Sequence, residues 1–251
     1  MRELTAAAAV VTWCVRAVCA AESSDCAAAA HLAVADFPLP RVAAAIDKTH
    51  ELDILVMGAG SSSLIAPGGT DLAYPARLQL VLSKRFPDVK IKVSTNVKSR
   101  RSAAEMAATF EKVLMEEKPA LVIWQSGTVD AISGVDPDDY RATLEQGVDT
   151  LQTGGADVVM MNMQYSPRTE SMIAIQAYAD NMRLVAHQRE VPVFDRLAIM
   201  KHWSETGTFD LSGATKRLET AARIHDCVAQ LLGDLIADGI KLAREQPKPV
   251  Q

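Results

Sequence analysis

The chain has 251 residues, a formal net charge of −5, 49% hydrophobic and 5% aromatic residues. Such a length suits a single α/β domain, and the apolar share is ample for a large core. The acidic balance argues against a nucleic-acid-binding role, because the one basic cluster, Lys98 to Arg101, is short and reads as a solvated loop.

Met1 and Arg2 open an Ala- and Val-rich run that ends in Val18-Cys19-Ala20. Small residues at 18 and 20 are what a signal peptidase requires, so residues 1–20 are expected to be a signal peptide of a secreted or periplasmic protein. Glu3 and Arg16 depart from the ideal pattern. A membrane anchor is not expected, since the run is short and carries a charge. Cleavage after Ala20 would leave Cys26 and Cys227, which an oxidising compartment would join as one disulfide; two separately buried thiols are the other reading.

Residues 21–50 read as an N-terminal arm, Pro-punctuated over 36–41, and a short helix near 42–48. Residues 51–243 carry the main domain, and 244–251 are expected to be a disordered tail. Within the domain, short apolar or β-branched runs at 53–58, 89–95, 120–124, 156–162 and 191–194 read as strands. Helices are expected at 72–85, at 102–117 with Ser102 and Glu105 as a capping box, at 137–152 opened by Asp136, at 169–189, and at 216–242. This alternation predicts an α/β fold: a three-layer α/β/α domain around a five-stranded parallel, flavodoxin-like sheet. Ligands bind beyond the carboxyl ends of such strands, which directs attention to the loops that follow them.

The first of these loops reads Gly58-Ala59-Gly60-Ser61-Ser62-Ser63. Glycines allow a sharp turn after a strand and hold a serine at the mouth of the sheet. The spacing is neither a Walker A loop nor a dinucleotide fingerprint. The third strand ends in Gln125-Ser126-Gly127-Thr128-Val129-Asp130, and a late histidine, His225, offers the imidazole that activates a serine hydroxyl. His31, His50, His187 and His202 lie in no motif.

Taken in order, these pieces resemble the SGNH/GDSL hydrolase family. Gly60-Ser61-Ser62 matches its Gly-Asp-Ser block with Ser for Asp, Tyr74-Pro75-Ala76-Arg77-Leu78 resembles the start of the following helix, Asn96 precedes the second block, and Gly127-Thr128-Val129-Asp130 matches the third except for its Asn. The resemblance implies Ser62 as nucleophile, His225 as base, and an oxyanion site near Ser61, Arg101, Thr128, Val129 and Asn162. Three departures accompany it: Arg101 stands where the second block has Gly, Val129 where the third has Asn, and Ala222 where an acid would orient the histidine. Asp210 is the substitute acid to test; Asp226, beside His225 on a helix, does not face the same way. The implied function is a serine ester hydrolase of small or carbohydrate esters, working through an acyl-enzyme with a Ser–His dyad or incomplete triad. The departures leave two alternatives: a weak or inactive SGNH-fold protein that binds glycans or acyl groups, and a polysaccharide O-acyltransferase. No cofactor, metal, nucleic-acid partner or stable membrane anchor is implied.

Overall fold

The computed structural model describes residues 24–27, 29–212 and 217–246; the expected signal peptide lies outside the described residues. Five strands form one parallel sheet: β1 (Glu51–Gly58), β2 (Lys90–Val97), β3 (Leu121–Gln125), β4 (Asp157–Met161) and β5 (Val193–Phe194), in the order β2-β1-β3-β4-β5. This is the expected flavodoxin-like order. Leu55-Val56-Met57, Leu121 to Trp124 and Val158 to Met161 are continuous apolar runs because helices cover both faces of the sheet there. At the edge, β2 leaves Lys90 and Lys92 exposed, charges that discourage pairing with another chain.

Two expected helices are each broken in two. The stretch expected at 102–117 forms Ala103–Ala107 and Phe110–Glu117. The Ser102/Glu105 capping box starts the first as expected. Arg101 then interrupts the run, its guanidinium donating to the Glu105 carbonyl at 3.2 Å and to Thr109 Oγ1 at 2.7 Å. The stretch expected at 169–189 forms Pro167–Met172 and Gln176–Gln188, with Ile173 extended between them. The first of these begins early because the Ser166 side chain caps the Thr169 N–H.

A helix the periodicity did not suggest, Arg196–Glu205, follows β5 and is capped by Asp195, whose carboxylate accepts from the Ala198 N–H. The last helix, Arg217–Glu245, outruns its expected end. The supposed tail is ordered at Arg244, which pairs with Asp47 on the helix Pro40–Thr49. The last helix lies against that helix and against Tyr74–Arg85. Gly233 permits this approach, since a Cβ there would stand 2.7 Å from Val81 Cγ1. Cys26 and Cys227 form a disulfide that ties the N-terminal arm to the last helix. Among the described residues no helix is long and apolar enough to cross a membrane.

Candidate active site

Ser62 lies in a single 3₁₀ turn, Gly60–Ser62, directly beyond the carboxyl end of β1, and is buried. Its neighbourhood is dense. The Ser62 hydroxyl donates to Gln125 Oε1, at the end of β3, and accepts from the Tyr74 hydroxyl at 3.2 Å. Gln125 Nε2 donates to Ser61 Oγ. The orientation of that amide is set by Arg196: a guanidinium only donates, and its Nη1 stands 3.5 Å from Gln125 Oε1 and 2.9 Å from the Ser61 carbonyl. With Oε1 facing Arg196, the Ser62 hydroxyl is left as a donor to the same oxygen.

His225 is buried on the last helix, and its Nδ1 accepts the Tyr74 backbone N–H at 2.9 Å. Its ring stacks on the Tyr74 ring, with centroids 5.8 Å apart. A neutral imidazole that accepts at Nδ1 carries its proton on Nε2. Burial, with the nearby Arg196 charge adding to it, pushes the His225 pKa down to about 3. No hydrogen bond joins Ser62 to His225 among the described residues. Burial also raises the Tyr74 phenol above its ordinary range, so that group is a neutral donor.

The other expected site residues have these surroundings. Asp210 is exposed and spends its carboxylate on the Ser212 N–H, at 2.9 Å, and the Ser212 hydroxyl. Asn162 is buried: its amide nitrogen donates one bond, to Asp195 at 2.7 Å, and its oxygen accepts the Leu197 N–H at 2.8 Å. Both contacts lie at the start of the helix Arg196–Glu205. The Arg101 guanidinium is taken up by Asn96, Glu105 and Thr109. The Ser62 backbone N–H, the usual kind of oxyanion donor, is bonded to the Ala59 carbonyl at 3.0 Å. Thr128 Oγ1 is buried with no hydrogen-bond partner among the described residues. Val129 offers no side-chain donor.

The sequence reading missed Tyr74 as a contact of both Ser62 and His225, and missed Gln125, Gln164 and Arg196. Gln125 and Arg196 each sit at the carboxyl end of a strand, which was the available signal. Arg196 is fully buried, and its Nη2 reaches Gln164 Oε1 at 3.3 Å. Its guanidinium lies 5.8 Å from the Tyr74 ring centroid. A concavity of about 830 Å³ lies between Phe110–Glu117 and Pro137–Thr153 and contains none of these residues. A smaller cavity of about 170 Å³ is lined by Arg196, His225, Gln164 and Asp210 among others.

A family model described as the non-GDSL lipase-like family matches residues 25–242. The chain belongs to the non-GDSL lipase-like family. Its fold is that of GDSL-type ester hydrolases. TesA is 24% identical with a TM-score of 0.55 over 72% of this chain and 97% of its own. Axe2, an acetylxylan esterase from Geobacillus stearothermophilus, is 18% identical with a TM-score of 0.57 over 72% of this chain and 91% of its own. A putative lipolytic protein of the G-D-S-L family from Desulfitobacterium hafniense DCB-2 is 16% identical with a TM-score of 0.54 over 71% of this chain and 98% of its own. No curated protein matches. The family's description fits the first loop of this chain, where the Asp of the GDSL block is Ser61.

Proposed function

We propose that this non-GDSL lipase-like protein uses an esterase fold to bind an acyl-bearing ligand beside Ser62 and does not form an acyl-enzyme there. The observation that carries this reading is the bond from the Tyr74 N–H to His225 Nδ1. A base for Ser62 needs a lone pair on the nitrogen facing the hydroxyl and a partner on the other nitrogen that accepts its proton. Here the partner is a donor, so the free nitrogen is a donor as well. The proton of the Ser62 hydroxyl is directed to Gln125 Oε1, an amide oxygen with no capacity to remove it. Loss of a single oxyanion donor costs about 2.7–4 kcal/mol of transition-state stabilisation. In this site the Ser62 N–H is engaged by the Ala59 carbonyl.

Labelling with a fluorophosphonate, together with turnover of p-nitrophenyl acetate by the wild type and Ser62→Ala, tests the reading. Ser62 is expected to stay unlabelled and the two proteins to hydrolyse the ester at equal rates. Stoichiometric labelling that disappears in Ser62→Ala would overturn it.

A serine ester hydrolase is the second reading, favoured by the position of Ser62 after β1 and by the ester hydrolases that share the fold. It requires the ligand to rotate the His225 ring and to release Ser62 from Gln125. Acylated carbohydrates belong among the ligands to test, because one structural neighbour is an acetylxylan esterase. The Cys26–Cys227 disulfide supports placing the protein in an oxidising compartment, secreted or periplasmic.

A further inference from the structure

Arg196 is a buried cation that pairs with no carboxylate among the described residues. It is 0% exposed, and its acceptors are the Ser61 carbonyl and the amide oxygens of Gln125 and Gln164, two of them at 3.3 and 3.5 Å. Its Nε–H has no partner among the described residues. Taking a guanidinium out of water costs several kcal/mol, and natural sites offset this with an anion or with a full set of strong acceptors. Neutral, long contacts supply neither.

The two groups left short of acceptors line the same cavity. Arg196 lines it, and so does His225, whose Nε2–H has no acceptor among the described residues. The Nε–H and Nη2–H edge of an arginine is the one that grips a carboxylate through two parallel bonds. Gln164, which holds Nη2 at present, is only half-buried, and an anion would have to displace this side chain to reach Nη2. Met200 and Ile224 give the cavity an apolar wall. Its volume of about 170 Å³ suits a molecule of a few heavy atoms. The carboxylate in the lining, Asp210, is exposed and turned to Ser212.

We propose that this cavity binds the free carboxylate of a short-chain organic acid, with Arg196 and His225 as donors and Gln164 as the displaceable stand-in for the anion. The proposal rests on the reading above that Ser62 forms no acyl-enzyme, and it places the ligand in the cavity of Arg196 and His225, whose lining does not include Ser62: the acid is held, and the corresponding neutral ester is not.

Isothermal titration of the full chain with sodium butyrate is the test, with methyl butyrate and sodium sulfate at matched ionic strength as controls. Butyrate is expected to bind saturably and the controls to bind at least about tenfold more weakly, the scale of one charge-assisted pair. Arg196→Met should weaken butyrate by about tenfold or more. Should Arg196→Met fail to fold, two other variants decide. His225→Asn keeps an acceptor for the Tyr74 N–H but loses the Nε2–H donor, and it should bind butyrate several-fold more weakly. Gln164→Ala frees Nη2 and should bind at least as well as the wild type. Sulfate binding equal to butyrate, or unchanged affinity in His225→Asn together with weakened affinity in Gln164→Ala, would overturn the proposal. Saturable binding of methyl butyrate with butyrate inert would overturn the carboxylate preference while leaving a binding protein. Release of butyrate from p-nitrophenyl butyrate that is lost in Ser62→Ala would instead overturn the binding reading itself.

Discussion

The Tyr74 backbone N–H donates to His225 Nδ1 at 2.9 Å, and the hydroxyl of the same tyrosine donates to Ser62 Oγ at 3.2 Å. One residue therefore engages both members of the expected dyad and sets the histidine in the tautomer with its proton on Nε2. The Arg196 guanidinium near the Tyr74 ring further disfavours a charged imidazole.

The pH dependence of stability carries the signature of His225. Its pKa is held down to about 3 in the folded protein by burial, against an ordinary value of 6.5. Above about 6.5 the ring is neutral in both states and contributes no slope. Between about 6.5 and 3 the unfolded chain binds a proton that the folded chain refuses, so stability falls as pH falls, by at most a few kcal/mol. Buried Asp130 and Asp157, whose carboxyls burial raises, act in the opposite sense at acid pH. Comparison with His225→Asn isolates the histidine: urea midpoints measured from pH 7 to pH 4 should decline less steeply in the variant.

Ser62→Ala is expected to destabilise the fold. It removes the acceptor of the buried Tyr74 hydroxyl, while Gln125 keeps its contact with Arg196. An unsatisfied buried donor costs about 1–3 kcal/mol. A denaturant midpoint equal to that of the wild type would mean the Tyr74–Ser62 bond is not formed.

Gly58 closes the other side of the serine. A Cβ added there would collide with Ser62 Oγ and come 3.1 Å from its Cβ. Gly58→Ala should therefore push Ser62 off Gln125, with a stability loss of about 1–3 kcal/mol from overpacking. Thermal unfolding measures the loss, and a crystal structure of the variant should show the Ser62 hydroxyl displaced.

The Cys26–Cys227 disulfide spans 201 positions and fixes the helix that carries His225. Removing a bridge typically costs about 2–5 kcal/mol. The double variant Cys26→Ser/Cys227→Ser should unfold at lower denaturant than the oxidised wild type, and dithiothreitol should lower the wild type while leaving the variant unchanged.

The sheet was legible because β1, β3 and β4 are buried on both faces and must be continuously apolar, as Leu55 to Met57 and Leu121 to Trp124 are. Helix interruptions were less so: the break before Phe110 depends on where the Arg101 side chain folds back, which no periodicity records. Ser62 was found from its strand-turn context. The residues bonded around it were not, because the Tyr74–His225 bond joins positions 151 apart and Arg196 is 135 from Ser61. The substitutions at Arg101, Val129 and Ala222 were visible in the sequence as departures from the pattern it resembles.

The most direct measurement is the tautomer of His225 in solution, from long-range ¹H–¹⁵N correlation spectra at neutral pH. A neutral ring with its proton on Nε2 and an unprotonated Nδ1 is predicted. A proton on Nδ1, leaving Nε2 free to accept from Ser62, would contradict the central claim that this serine is not armed.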